Sequence, residues 1–281
     1  MANPLVDDLR LAHMLADAAD SVTLDRFRAR DLDVSLKADA TVVSDADRQA
    51  EETIRRMLAT ARGRDSFHGE ESGDSGWGPR QWVVDPIDGT ANYVRGVPVW
   101  ATLIALMIEG VPQVGVVSAP ALNRRWWAHR GGGAYTGKSL LRGRQINVSQ
   151  VEHIDQAFIS YASLEPWVES GRGHQFGMLL RETARTRAFG DFWSYMLVAE
   201  GAVDIAAEPE LALHDMAALV PIVEEAGGRF TSIDGIPGPG GPGAVATNGR
   251  LHAGVLAMLA PTPSEPEDSL IIPRRAIHPH S

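Results

Sequence analysis

The stretch Gln81–Arg95 reads Q-W-V-V-D-P-I-D-G-T-A-N-Y-V-R. Trp82, Val83 and Val84 form a short apolar run suited to a buried strand, and it ends in two aspartates, Asp85 and Asp88, followed by Gly89 and Thr90. Pro86 has no amide hydrogen and biases Asp85 to extended conformations, so the strand is expected to stop at Asp85, with its carboxylate leaving the sheet edge. Asp88 suits a helix N-cap, with Gly89 and Thr90 in the first turn, where free N–H groups attract a phosphate. Acids beside an anion site make sense when hard dications sit between them, the usual arrangement in phosphoryl transfer. Taken alone, the D-x-x-D spacing reads more readily as a βα loop with one capping and one solvated aspartate.

Upstream, Asn3-Pro4 is a helix start, and Leu5, Leu9, Ala12, Ala16, Ala19 and Val22 repeat at helical spacing. A polar loop, Ser35 to Asp47, leads to a second helix over Asp47–Arg62, with Ser44 as cap and Asp47 three residues later in capping-box style. Gly69-Glu70-Glu71-Ser72-Gly73 is a short acidic turn before Trp82. Downstream, Trp100–Met107 and Val114–Val117 flank Glu109-Gly110 as a hairpin, and Arg124–Ala128 and Ala134-Tyr135 continue the strands. Beyond Val151 the pattern predicts strands at Ala157–Ser160, Ala202–Ala207 and Arg229–Ser232, and helices within His174–Arg185, over Phe192–Glu200 and over His252–Leu259. Asp215 is expected to cap a further helix whose apolar face is Ala218, Leu219, Ile222, Val223 and Ala226, stopped by Gly227-Gly228.

The 281 residues, 44% hydrophobic and 22% charged, are of ordinary globular composition, and the succession of helices and strands reads as an α/β (α+β) protein. We expect one domain over residues 1–260, with halves of about 1–145 and 146–260, and a Pro-rich tail at 261–281. The formal charge of −10 argues against a nucleic-acid partner, which needs a basic footprint. Lys37 and Lys138 are the two lysines among many arginines, and no cysteine is present, which excludes disulfides, thiolate metal sites and Cys nucleophiles. With no leader-like segment and no apolar run of membrane-spanning length, a soluble cytoplasmic protein without a membrane partner is expected.

Four segments place five acids where strands meet helices or loops: Asp47, Glu70, the pair Asp85 and Asp88, and Asp215. Singly, Asp47 and Asp215 read as helix-start residues and Glu70 as a solvated turn acid; together they suggest a multinuclear magnesium site. G-E-E-S at Gly69–Ser72, D-P-I-D-G-T-A-N at Asp85–Asn92, and H-D-M-A-A with E-A-G-G between His214 and Gly228 resemble the signatures of the inositol monophosphatase family, in order and in spacing. The resemblance implies a layered αβαβα fold, a homodimer, and a magnesium-dependent phosphomonoesterase holding two to three Mg2+ ions. It implies that Glu70, Asp85 and the Ile87 carbonyl hold the first ion and Asp85, Asp88 and Asp215 the second, with Asp47 and Glu70 reaching a third through water. It further implies that Thr90 with Glu70 orients the attacking metal-activated water, that the Gly89 and Thr90 amides hold phosphate oxygens, and that Lys37 lies in the loop beside the metals. His214 departs from the family, which commonly has tryptophan there.

Within the family the chain most resembles the bacterial histidinol-phosphate phosphatase branch. The likeness is carried by Val94–Ala101, Gly115–Trp127, Arg187–Tyr195, Ala199–Pro209 and Ala244–Gly249. It implies hydrolysis of L-histidinol phosphate to L-histidinol and phosphate, with an inositol-1-monophosphatase or a broad small-molecule phosphatase as the runner-up and a catalytically silent metal-binding regulator as the non-enzyme reading. A substrate with an ammonium and an imidazole calls for carboxylates in its pocket. Asp191 and Glu208 are the candidates for that charge, with Asn248 as a further contact; helix cap, solvated loop acid and turn residue are their plain alternatives.

Overall fold

The computed structural model describes residues 4–37 and 41–261; Asn3 and the Pro-rich segment from 262 onward lie outside the described residues. The chain runs through helix α1 (Pro4–Arg26), strands β1 (Val34–Leu36) and β2 (Val42–Ser44), α2 (Asp45–Ala61), β3 (Ser66–Gly69), β4 (Gly73–Ser75), β5 (Arg80–Asp88), α3 (Thr90–Val94), β6 (Ala101–Ile108), β7 (Val111–Ala119), β8 (Arg124–His129), β9 (Ala134–Gly137) and β10 (Gly143–Ile146). It continues through β11 (Phe158–Ser160), α4 (Glu165–Glu169), α5 (Gly173–Glu182), β12 (Arg185–Arg187), α6 (Asp191–Ala199), β13 (Ile205–Glu208), α7 (Leu213–Met216), α8 (Leu219–Glu225), β14 (Arg229–Thr231), β15 (Ala244–Thr247) and α9 (His252–Leu259).

Eight strands form one sheet in the order β10-β9-β8-β7-β6-β5-β3-β4, and five form a second in the order β12-β11-β13-β15-β14. Alternation along single strands sends side chains into two different cores. On β6, Leu103, Ala105 and Met107 face a core shared with α6, α8 and the second sheet, while Ile104 and Leu106 face α1 and α2. On β13, Ala206 joins that same central core, and Ile205 and Ala207 join Trp167, Phe176, Leu179, Val255 and Leu259 of α4, α5 and α9. The layers are therefore αβαβα, the architecture expected from the sequence. Because both faces of the first sheet are covered, β6 (A-T-L-I-A-L-M-I) is apolar almost without interruption, although its pairings are antiparallel. Among the described residues no helix is long and apolar enough to cross a membrane.

Two local expectations fail. The segment Ser35–Asp47 is not simply a loop: β1 and β2 pair antiparallel, Val34 opposite Ser44. Strand β5 does not stop at Asp85 but runs to Asp88. Asp85 pairs with Leu103 and Asp88 with Ala101, so three steps on β5 match two on β6 and one residue bulges out. Pro86 has no ladder donor to lose there, and its carbonyl accepts the Thr102 hydroxyl at 2.8 Å. A bulge accommodates a proline without ending the strand.

Candidate active site

Strands β3 and β5 are parallel neighbours, with Gly69 opposite Val84. The last pair of this parallel ladder, Gly69 with Val84, delivers the residues that follow side by side, so Glu70 and Asp85 emerge together; the Glu70 amide donates to the Val84 carbonyl at 3.1 Å. The bulge then re-aims the chain so that Asp88 stands beside Asp85, and α7 brings Asp215 from the second half. Ligand oxygens of Asp85, Asp88 and Asp215 lie within 4.8 Å of one another.

Neither Asp88 nor Asp215 occupies the N-cap position expected of it. Gly89 occupies the N-cap of α3 in the left-handed region at φ 87°, where an added Cβ would stand 3.0 Å from the Val99 carbonyl oxygen and 3.2 Å from Asp191 Oδ2. Asp88 is thereby free to turn towards the second half, where its Oδ2 accepts the Phe192 amide at 2.8 Å. Asp215 sits inside α7, and its Oδ2 reaches back to the Ala212 amide at 2.7 Å. Each spends one carboxylate oxygen on backbone.

Asp47 is the third residue of α2 and is buried; its Oδ2 accepts the Ser44 amide at 2.9 Å and the Ser44 hydroxyl at 2.6 Å, as the capping-box pattern predicts. Its Oδ1 accepts the Thr90 hydroxyl at 3.0 Å, and Thr90 Oγ1 also lies 2.9 Å from the Ile87 carbonyl. Lys37 Nζ bridges Glu70 and Glu71 at 2.7 Å each.

Burial pushes Asp85 and Asp88 well above the ordinary carboxylate range, reinforced at Asp85 by Glu70, Asp88 and Asp215 and at Asp88 by Asp191 and Asp215. Burial raises Asp215 too, against the opposing influence of His214. Asp85 Oδ1 and Glu70 Oε2 are buried with no hydrogen-bond partner. Carboxylates that converge in an all-oxygen set fit hard divalent cations.

Around this cluster stand the residues expected to meet a substrate. Asp191 opens α6 with φ 48°, left-handed for a non-glycine residue, and its Oδ2 accepts from Asn92 Nδ2 at 2.9 Å. Burial and Asp215 push its carboxyl up to about 6. Glu208 ends β13; burial, Asp191 and Asp215 push it up to about 8, and its Oε1 is buried without a hydrogen-bond partner. Tyr195, 1% exposed, interacts with it from α6. On the other side the His214 ring stacks on His68 with centroids 6.0 Å apart, so an imidazole pair occupies the place where the family commonly has tryptophan.

Asn248 is not brought to this site. Thr247 pairs with Ile205 at the start of β13, three residues from Glu208, which puts Asn248 about 10 Å or more away along the strand. Its side chain is committed locally: Nδ2 donates to Ser149 Oγ at 2.9 Å and to the Val151 carbonyl at 2.8 Å, and Oδ1 accepts the Arg250 and Leu251 amides at 3.1 and 3.2 Å. The turn-residue alternative describes it.

Two further residues shape the site. Asn92, within the D-P-I-D-G-T-A-N motif, fixes Asp191. Glu51, four residues after Asp47 and so on the same face of α2, is 2% exposed and accepts the Glu71 and Ser72 amides at 2.8 and 2.9 Å. The i, i+4 spacing was the available signal, but nothing in the sequence pairs Glu51 with a turn twenty residues on.

Residues 7–263 match the model of the inositol monophosphatase family. A histidinol-phosphatase of Streptomyces coelicolor is 61% identical over 258 residues, covering 90% of this chain and 97% of its own. A histidinol-phosphatase of Mycobacterium tuberculosis is 55% identical over 254 residues, covering 90% and 98%. The solved inositol monophosphatase from Zymomonas mobilis superposes with a TM-score of 0.80 at 30% identity, over 92% of this chain and 99% of its own. An αβαβα core, acids delivered to one point from both halves, and a match along most of the length agree: this chain belongs to the inositol monophosphatase family.

Proposed function

We propose that this protein is a magnesium-dependent phosphomonoesterase that hydrolyses L-histidinol phosphate to L-histidinol and phosphate. The observation that carries the substrate is the pair Asp191 and Glu208 beside the Asp85–Asp88–Asp215 cluster: two half-buried carboxyls, both raised by burial and by the acids around them. A pocket wall of that kind rewards a cationic leaving group and penalises a neutral polyol. The likeness to two histidinol-phosphatases supports the same reading.

Glu70, Asp85 and the Ile87 carbonyl would hold one ion, Asp85, Asp88 and Asp215 a second, and Asp47 with Glu70 a third through water. When bound, magnesium neutralises phosphoryl and leaving-group charge and acidifies the attacking water. The protein's own groups supply the rest. Thr90 gives its single hydroxyl proton to Asp47 or to Ile87, which leaves its lone pairs to accept from water, and Glu70 takes the proton that water gives up. The Gly89 and Thr90 amides, at the start of α3, hold phosphate oxygens. Asp191, fixed by Asn92, and Glu208 receive the ammonium or imidazolium of the leaving alcohol.

Turnover on histidinol phosphate, inositol 1-phosphate, fructose 1,6-bisphosphate and 3′-phosphoadenosine 5′-phosphate tests the assignment. The expected result is the highest kcat/KM on histidinol phosphate; a clear preference for any of the other three overturns it.

A further inference from the structure

Glu51 is a fully engaged buried acid that the chemistry above does not use. Its two oxygens accept consecutive backbone amides, Oε2 from Glu71 at 2.8 Å and Oε1 from Ser72 at 2.9 Å. One residue earlier, the Glu70 amide is held by the Val84 carbonyl at 3.1 Å. Three successive amides are thus pinned, and the residue whose side chain they aim is Glu70. Gly69 makes the approach possible: a Cβ there would meet the Glu51 carboxyl carbon and oxygens at 2.4–2.6 Å. Glu51 also lies one helical turn after Asp47, which holds Thr90. One face of α2 therefore fixes both the hydroxyl expected to orient water and the acid expected to serve two ions.

We infer that Glu51 is a positioning residue for metal capture: through the Glu71 and Ser72 amides it holds Glu70 in the orientation that receives the cation. The inference rests on the proposed magnesium site. The chemistry requires a carboxylate, because both partners are N–H donors. A glutamine of the same shape offers one acceptor oxygen and turns an NH2 group against the other amide. The turn then loses one of its two anchors, and a poorly held ligand binds its metal less tightly; loss of such an outer partner typically costs about 10–100-fold in affinity.

The test is direct calorimetric titration of metal-stripped protein with magnesium, comparing wild type, Glu51→Gln and Gly69→Ala. Gly69→Ala keeps the carboxylate but displaces it from the turn, and it serves alone where Glu51→Gln fails to fold. The expected result is a Kd for magnesium raised about 10–100-fold in each folded variant, with KM for the phosphomonoester at saturating magnesium within about twofold of wild type, the change a purely outer partner leaves to substrate binding. A Kd unchanged within about twofold, whatever happens to Tm, overturns the role and shows a merely structural glutamate. Wild-type protein that takes up no magnesium removes the metal site itself, and the inference with it.

Discussion

Replacing Asp85 by asparagine removes one charge from the cluster and keeps the side-chain volume. The ligand oxygens of Asp85, Asp88 and Asp215 lie within 4.8 Å of one another. At that outer separation and an effective dielectric constant of about 20, one ionised pair repels by about 3.5 kcal/mol, so Asp85 ionised against both neighbours costs about 7 kcal/mol. Without a cation the cluster takes up protons instead, in agreement with the raised carboxyls of Asp85 and Asp88. Proton uptake limits the strain that the substitution relieves. The Asp85 carboxyl stands well above its ordinary range because of burial and its acidic neighbours, so the variant is expected to be the more stable of the two in chelator, by less than the full repulsion. The sign follows from linkage. A carboxyl raised in the folded state contributes stability that is complete below its ordinary range and lost as pH rises through the raised value, so the variant's advantage grows with pH and vanishes in acid. Magnesium reverses the order: at about 100 times its Kd it stabilises wild type by about 2.7 kcal/mol and the variant by much less. Urea unfolding in chelator and in magnesium, at neutral and acidic pH, measures all four quantities. An Asp85→Asn protein less stable than wild type in chelator, or stabilised equally by magnesium, would refute the electrostatic account, and retained phosphatase activity would refute the ligand role.

Asp191→Asn keeps a residue that tolerates the left-handed backbone at φ 48° and removes only charge; KM should rise about tenfold on histidinol phosphate, for about 1.4 kcal/mol of lost charge pairing, and much less on an uncharged phosphomonoester. Equal losses on both would take Asp191 out of substrate recognition. Thr90→Val deletes the hydroxyl held by Asp47 and Ile87, and kcat should fall by about 10²–10⁴ with little change in KM, while Thr90→Ser recovers most of it; a parallel rise in KM would point to phosphate binding instead. His252, 1% exposed between Thr231 and Thr247, has its pKa lowered to about 4 by burial and Arg229. Its depressed value means stability present above about 6.5 and lost as pH falls to about 4, by up to about 3 kcal/mol. In chelator, the stability difference between wild type and His252→Asn should therefore shrink over that interval, and a constant difference would remove His252 as an acid-sensitive group.

Much of the architecture was legible in periodicity. The helix at His252–Leu259, the hairpin around Glu109-Gly110 and the stop at Gly227-Gly228 all follow from local pattern, because each is decided by residues within a few positions of one another. The failures lie where a distant partner overrides a local rule. Pro86 does not end β5, because β6 accepts a bulge opposite it. Asp88 does not cap α3, because its oxygen takes the Phe192 amide in the first turn of α6, and Asp215 stands inside α7, holding the Ala212 amide, and not at an N-cap. Asn248 looks like a site residue in sequence and is instead consumed by Ser149, Val151, Arg250 and Leu251.

By itself, the sequence determined the family likeness, through which the layered class was expected, and the five acids on four segments, since these depend on residue type, order and spacing. Only the tertiary structure decided which acids meet. Whether Asp85, Asp88 and Asp215 share one point, whether Asp191 and Glu208 stand beside them while Asn248 does not, and whether Glu51 reaches the Glu70 turn all depend on strand register and on the packing of the two sheets through α6 and α8. One step of register carries a side chain to the opposite face, and no local spacing records that choice for strands more than a hundred residues apart.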